Sequence, residues 1–166
     1  MKKSLIMAGL LFASTAFASD IKFSDIKFEV GMGVNYGGVV GLTANMEVAP
    51  KTEAFAGVGA VGYVLGVKYY LHDNIRVVAN YGTNGYIIYY KESESGVLEE
   101  EEWDSGKGIN IGVEYIGNNR WKNGWSIGVM YAVTSSIYDR VEELDEQGYS
   151  GVVSTSKLQL TFGYRF

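Results

Sequence analysis

The chain has 166 residues, 47% of them hydrophobic, with 22 glycines, 13 tyrosines, one proline, no cysteine and a formal net charge of −5. The missing cysteines exclude a disulfide scaffold and thiolate metal sites. The acidic balance argues against nucleic acid as a partner, because phosphate binding needs clustered Lys and Arg. With one histidine and no His-rich pattern, no metal or cofactor is expected.

Residues 1–18 read as a secretory leader. Lys2 and Lys3 form a short positive start, Leu5 to Phe12 is almost continuously apolar, and Ala16-Phe17-Ala18 supplies a small-x-small site before Ser19. A retained N-terminal anchor is the alternative, but the apolar run falls short of the ~20 residues a helix needs to span a bilayer. Cleavage after Ala18 leaves residues 19–166 as one domain, with twelve basic against nineteen acidic residues, a formal −7. No later stretch has a dozen consecutive apolar residues, so the expectation is a helix-free, all-β chain.

From Lys27 the alternation is persistent, with the period of a strand. Phe28, Val30, Met32, Val34 and Tyr36 share one face, against Glu29, Gly31, Gly33 and Asn35. Leu42, Ala44, Met46 and Val48 oppose Thr43, Asn45 and Glu47, and Pro50 sits in the turn that follows. Residues 53–61 are small and weakly faced. Tyr63, Leu65, Val67, Tyr69 and Leu71 come next, then the turn His72-Asp73-Asn74, then Ile75, Val77, Ala79 and Tyr81. Ile109 to Tyr115 and Trp125 to Val133 repeat the pattern. The last strand alternates Leu158, Leu160, Phe162, Tyr164 and Phe166 with Lys157, Gln159, Thr161, Gly163 and Arg165.

Asn84-Gly85 is a strong hairpin signal. With a turn at Gly62 it gives nine strands, whereas single-chain bacterial barrels have even numbers. Two readings give eight: residues 75–91 as one long strand bulged near Gly85, or residues 53–71 as one overlong strand. The first is preferred. About ten residues tilted by ~45° reach a height of ~23 Å, near the ~25 Å apolar band of membrane barrels.

A terminal Phe166 preceded by Tyr164 and Phe162 at alternate positions resembles the C-terminal signal of bacterial outer-membrane proteins, which in that family is read by the barrel-assembly machinery. In size, patterning and this signal, residues 27–166 resemble the small OmpA/OmpX-type barrels. The resemblance implies an antiparallel up-and-down transmembrane β-barrel of eight strands. It also implies export to the outer membrane of a Gram-negative cell, as a monomer among outer-membrane lipid and lipopolysaccharide. The non-apolar face, mostly Gly, Thr, Asn and Ser, suits the tight interior of such a barrel better than a soluble exterior. A lipocalin-like periplasmic carrier is the alternative.

Three features invite functional reading. Inward-pointing Glu29, Glu47 and Glu114 face Lys68, Arg76 and Arg165, with Arg165 beside Glu29 and Arg76 beside Glu114. The cluster is either a structural plug or an ion-leaking gate, and the narrow lumen favours the plug. Two acidic segments, one with Glu92, Glu94, Glu99, Glu100, Glu101, Glu102 and Asp104, the other with Asp139, Glu142, Glu143, Asp145 and Glu146, are expected as surface loops. They are either solvated faces or bridges to lipopolysaccharide phosphates through divalent cations. Strand parity places residues 92–106 and 135–156 outside with the turns near Gly37 and Gly62. The turns near Pro50, Asp73 and Asn119 then lie on the periplasmic side. Lastly, His72 beside Asp73 is the sole candidate general base. His72 reads as a turn residue and enzymatic activity is not expected, although some small barrels are lipid-A hydrolases or acyltransferases. The expected function is thus structural or surface-interacting, with a narrow channel or lipid-A-modifying enzyme as the alternative.

Overall fold

Strict alternation of apolar and small polar side chains requires a sheet whose two faces meet different surroundings, and the chain meets that requirement by closing the sheet on itself. The computed structural model describes residues 25–92, 98–118, 122–146, 150–154 and 156–166, with the side chains of 89–92, 98–102, 145 and 150–154 excepted. The strands are β1 (Ile26–Gly33), β2 (Gly38–Ala49), β3 (Thr52–Gly59), β4 (Gly62–His72), β5 (Ile75–Glu92), β6 (Leu98–Ile116), β7 (Gly124–Ala132), β8 (Ser150–Ser154) and β9 (Leu158–Arg165). All of them except β8 form an eight-stranded antiparallel barrel, in which each strand pairs with its neighbour in the chain and β7 pairs with β9. Closure runs through β1 and β9, where Glu29 to Met32 pair with Arg165 to Phe162. The Phe166 amide adds a bond to the Phe28 carbonyl at 3.1 Å.

The facing expected from the sequence is largely observed. Phe28, Leu42, Leu65, Val67, Ile111, Val113, Ile127, Val129, Phe162 and Tyr164 all point outward and are exposed, while Glu29, Thr43, Asn45, Lys68, Arg76, Asn80, Asn110, Glu114 and Thr161 are buried inside. Residues 75–92 form a single strand with a register shift between Thr83 and Gly85. Asn84-Gly85 is therefore a bulge, and the hairpin turn falls at Ala60 and Val61, just before Gly62. Residues 1–18, including the leader and its cleavage site, lie outside the described residues.

Two expectations are corrected. Val34 and Tyr36, expected on the outer face, are buried, Tyr36 with 0% of its surface exposed. After Gly33 the chain leaves the wall and makes a 3₁₀ turn, Val34–Tyr36, inside the barrel. Gly33 (φ 97°) and Gly37 (φ 74°) take the left-handed conformations that let the backbone dip in and return. The Tyr36 ring lies where a β-carbon on Gly31 would meet it at 2.5 Å, so a glycine wall makes room for the tucked side chain.

The second correction concerns the acidic segments, which are not simple loops, and the chain is not helix-free. β5 and β6 pair continuously up to Lys91 and Glu100, so residues 98–106 belong to a hairpin that rises well above the other strands. Residues 136–146 form a helix, α1 (Ser136–Glu146), and β8 pairs with β5 at Ile87 and Ile88. The Ser135 hydroxyl accepts from the Ile137 amide at 3.3 Å, which caps the helix start. Ile137 and Leu144 bury against Ile87 and hold α1 on the tall hairpin.

Gly31→Ala is expected to lower stability by about 1–3 kcal/mol, because the added methyl collides with the Tyr36 ring and the Phe162 carbonyl. The urea or thermal midpoint of the refolded barrel measures this. An unchanged midpoint would mean that Tyr36 does not pack against this wall.

Candidate functional site

An eight-stranded barrel leaves an interior that its own side chains fill, and the lower half of this one is filled by charge. Three acid–base pairs sit directly opposite one another on neighbouring strands: Glu29 with Arg165, Glu53 with Lys68, and Arg76 with Glu114. Five of the six charges that the sequence suggested are therefore together. Lys68 is 0% exposed, and its ammonium donates to Glu29 Oε2 and Asn45 Oδ1, each at 2.6 Å, while lying 4.5 Å over the Phe55 ring. Arg76 Nη1 and Nη2 donate to the two Glu29 oxygens at 3.0 and 3.2 Å, and its Nε donates to Glu114 Oε2. Arg165 grips Glu53 with both terminal nitrogens, at 2.9 and 2.6 Å, and reaches Glu29 with Nε at 2.8 Å.

Glu47 does not belong to the cluster; Glu53 takes its place. The two carboxylates are register partners on β2 and β3, and like charges directly opposite repel. The register shifts between Glu47 and Ala49, and Glu47 ends exposed while Glu53 is buried against Arg165. Three buried carboxylates thus meet three buried cations, and half-exposed Lys27 lies 3.9 Å from Glu53.

Neutral groups complete the network. Tyr70 donates to Glu53 at 2.9 Å, Tyr36 to Glu29 at 3.3 Å and Thr161 to Glu114 at 3.2 Å. Asn35, carried in by the 3₁₀ turn, donates to Glu114 at 2.6 Å, and a chain of amides continues from it through Asn80 to Asn110. On the side away from the termini, Val34, Phe55, Val64, Val78 and Met130 form an apolar group across the lumen. The sequence pattern placed Asn35 and Tyr70 on the inward face without assigning them to the cluster, and it did not identify Glu53 or Tyr36. The signal available for the inserted segment was the Gly33 and Gly37-Gly38 flanks of Val34–Tyr36.

The described residues of the two acidic segments lie at the end of the barrel opposite the termini, and Glu94 lies outside the described residues. Glu142, Glu143 and Glu146 are exposed on α1, where Arg140 bonds Glu143 at 2.8 Å. Asp104 is exposed on β6, and its carboxylate accepts from the Ser105 amide. Glu99, Glu100, Glu101 and Glu102 are in β6 and Asp145 is in α1, with side chains outside the described residues. Among the described residues no group of three or more His, Cys, Asp or Glu is placed to hold a metal ion. His72 is exposed at the end of β4, and its register partner across the turn is Ile75. Phe162, Tyr164 and Phe166, expected from the sequence to act as an assembly signal, are exposed at the outer side of the chain's last strand.

Glu29→Gln is expected to destabilise the barrel by about 3–5 kcal/mol, because three buried cations lose their shared counter-charge. Glu47→Gln is expected to change stability by less than about 0.5 kcal/mol at its exposed site. Paired denaturation midpoints test both, and equal effects would contradict this assignment of inside and outside. Compared with known protein families, with curated proteins and with solved structures, the chain matches none of them.

Proposed function

We propose that the protein is an integral outer-membrane β-barrel of the OmpA/OmpX type, closed by its own side chains and structural or surface-interacting in role. The carrying observation is the inverted distribution of hydrophobic groups. Among the described residues thirty large hydrophobic side chains are exposed and twelve hydrophobic ones are buried, whereas ions and amides fill the inside. A water-soluble monomer rarely exposes apolar patches beyond a few hundred Å², so a belt that continues around the closed sheet calls for hydrocarbon around it. In hydrocarbon the backbone must be satisfied internally, and closure of the sheet does that. Tilted and turned aromatics such as Tyr115 and Trp125, 5.7 Å apart on neighbouring strands, suit an interfacial girdle.

On this reading the termini and the turns at Pro50 and Asp73 face the periplasm. The tall β5–β6 hairpin, α1 and their carboxylates then stand outside, near the phosphates of lipopolysaccharide, which divalent cations would bridge. Phe162, Tyr164 and Phe166 engage the assembly machinery during biogenesis, and the resident protein is a monomer without enzymatic activity.

The protein should fractionate with outer membranes and show heat-modifiable gel migration, and loss of Phe166 should reduce assembly. Recovery of intact protein from the soluble periplasm would refute the proposal. Protease added to intact cells should cut within residues 92–104 or 139–150. Cutting only after the outer membrane is breached would invert the topology. His72→Ala should leave the acylation pattern of lipid A unchanged by mass spectrometry, and an altered pattern would restore an enzymatic role.

A further inference from the structure

Lys68 takes part in a chemical arrangement that goes beyond an ion pair. Its Nζ lies between Glu29 Oε2 and Asn45 Oδ1, 2.6 Å from each, with the Phe55 ring 4.5 Å away. Lys68 is 0% exposed, and Glu29 and Asn45 are 1% exposed. The Asn45 amide is held in one orientation. Its Nδ2 donates to Thr43 Oγ1 at 3.1 Å and to the Lys27 carbonyl at 3.2 Å, which leaves its oxygen facing the lysine. A carbonyl bond is ~1.2 Å long, so Nζ is within about 3.9 Å of Asn45 Cγ, close to the ~3–3.5 Å of a near-attack contact.

An amine, a carboxamide and a carboxylate in one buried site are the components of an intramolecular transamidation. The carboxylates around Lys68 resist attack because they carry negative charge, whereas the carboxamide of Asn45 is an uncharged acyl group. Burial of all three residues keeps bulk water from competing as the nucleophile.

We propose that Lys68 and Asn45 join in an isopeptide bond between Nζ and Cγ, with Glu29 as the proton carrier. Glu29 takes one proton from the Lys68 ammonium, and the freed amine attacks Asn45 Cγ. As the Cγ–Nδ2 bond breaks, Nδ2 takes that proton back from Glu29 and leaves as ammonia. Glu29 takes up the second proton of Nζ, and the third remains as the amide N–H. No oxidant or cofactor is needed. With Glu29 protonated, Glu53 and Glu114 still oppose Arg76 and Arg165, so the cluster stays neutral. The bond ties β2 to β4 across β3. In a chain without cysteine it supplies the kind of constraint on the unfolded state that a disulfide supplies elsewhere.

The test maps tryptic peptides of the whole protein, isolated folded from cells or produced and kept unfolded in urea. Trypsin cuts at Lys51, between the two residues. Folded protein is expected to yield a branched peptide joining the Asn45 and Lys68 segments, lighter than those segments combined by about 17 Da, the mass of ammonia. Protein never allowed to fold should give the segments separately, because only folding assembles the site. Mapping is needed because imide formation at Asn84-Gly85 or Asn123-Gly124 loses the same mass. Asn45→Ala leaves the charges in place and should eliminate the branched peptide. Glu29→Gln should slow its appearance in the protease-resistant folded fraction by about 100-fold or more. Separate linear peptides from folded wild-type protein after prolonged incubation would overturn the proposal, whether or not the variants fold. An undiminished rate in folded Glu29→Gln would overturn the role of Glu29. Both results are independent of the outer-membrane reading, since the site lies inside the barrel.

Discussion

Glu29 is the point at which the three acid–base pairs of the wall become one network. Its two oxygens receive Lys68 from β4, Arg76 from β5 and Arg165 from β9, and each of those cations has a second acceptor in Asn45, Glu114 or Glu53. A shift of one residue in any of these strands would turn its charge to the outer face and leave its partners unpaired inside. Either half of that exchange is far more costly than a lost surface pair. The cluster therefore fixes the register of β1 against β9, β3 against β4 and β5 against β6 together. The barrel closes in one way because only one way neutralises its interior.

That logic explains which parts of the structure were legible in the sequence. Where wall residues alternate without interruption, as from Tyr63 to Leu71 or from Trp125 to Tyr131, the period of two specified both the strand and the side each residue faces. The pairs Glu29–Arg165 and Arg76–Glu114 followed from strand order alone. Reading failed where the chain departs from the wall. Val34 and Tyr36 keep the apolar alternation of β1, but two glycines with positive φ carry them inside, and periodicity cannot register a change of path. Glu47 and Glu53 are register partners, but only Glu53 is buried, bonded to Arg165 from the far end of the chain, and periodicity does not choose between them. In α1 the helical signal was present, with Ile137, Val141 and Leu144 at helical spacing behind a Ser135 cap. It was masked by the acidic residues around it, which read as a solvated loop.

The asymmetry between the two halves of the rim has a related origin. β1 to β4 end early, in the tucked Val34–Tyr36 turn and in the two-residue turn at Ala60 and Val61, whereas β5 and β6 continue through Lys91 and Glu100. A strand that outlasts its neighbour presents unpaired backbone groups, which invite pairing with another chain. β8 occupies that edge of β5, and α1 covers the apolar side of the hairpin through Ile137 and Leu144 against Ile87. The segment between β7 and β9 thus supplies both the missing strand and the cover for the tall hairpin. Over residues 83–86, between the β4 and β8 pairings, that edge of β5 has no strand partner among the described residues.

Whether such a lumen conducts depends on more than its charges. An ion moving along it would first have to separate Glu29, Glu53 and Glu114 from Lys68, Arg76 and Arg165, which are neutral as a set and hydrogen-bonded to one another. Beyond them it would meet Val34, Phe55, Val64, Val78 and Met130, an apolar group set beside the buried amides of Asn35, Asn80 and Asn110. Asn35 joins the two barriers, since it belongs to the same inserted turn as Val34 and bonds Glu114. Loosening one salt bridge would therefore leave the apolar layer in place, and withdrawing the turn would remove Val34 and an acceptor's partner at once. The inserted turn thus ties the charge cluster to the apolar group above it.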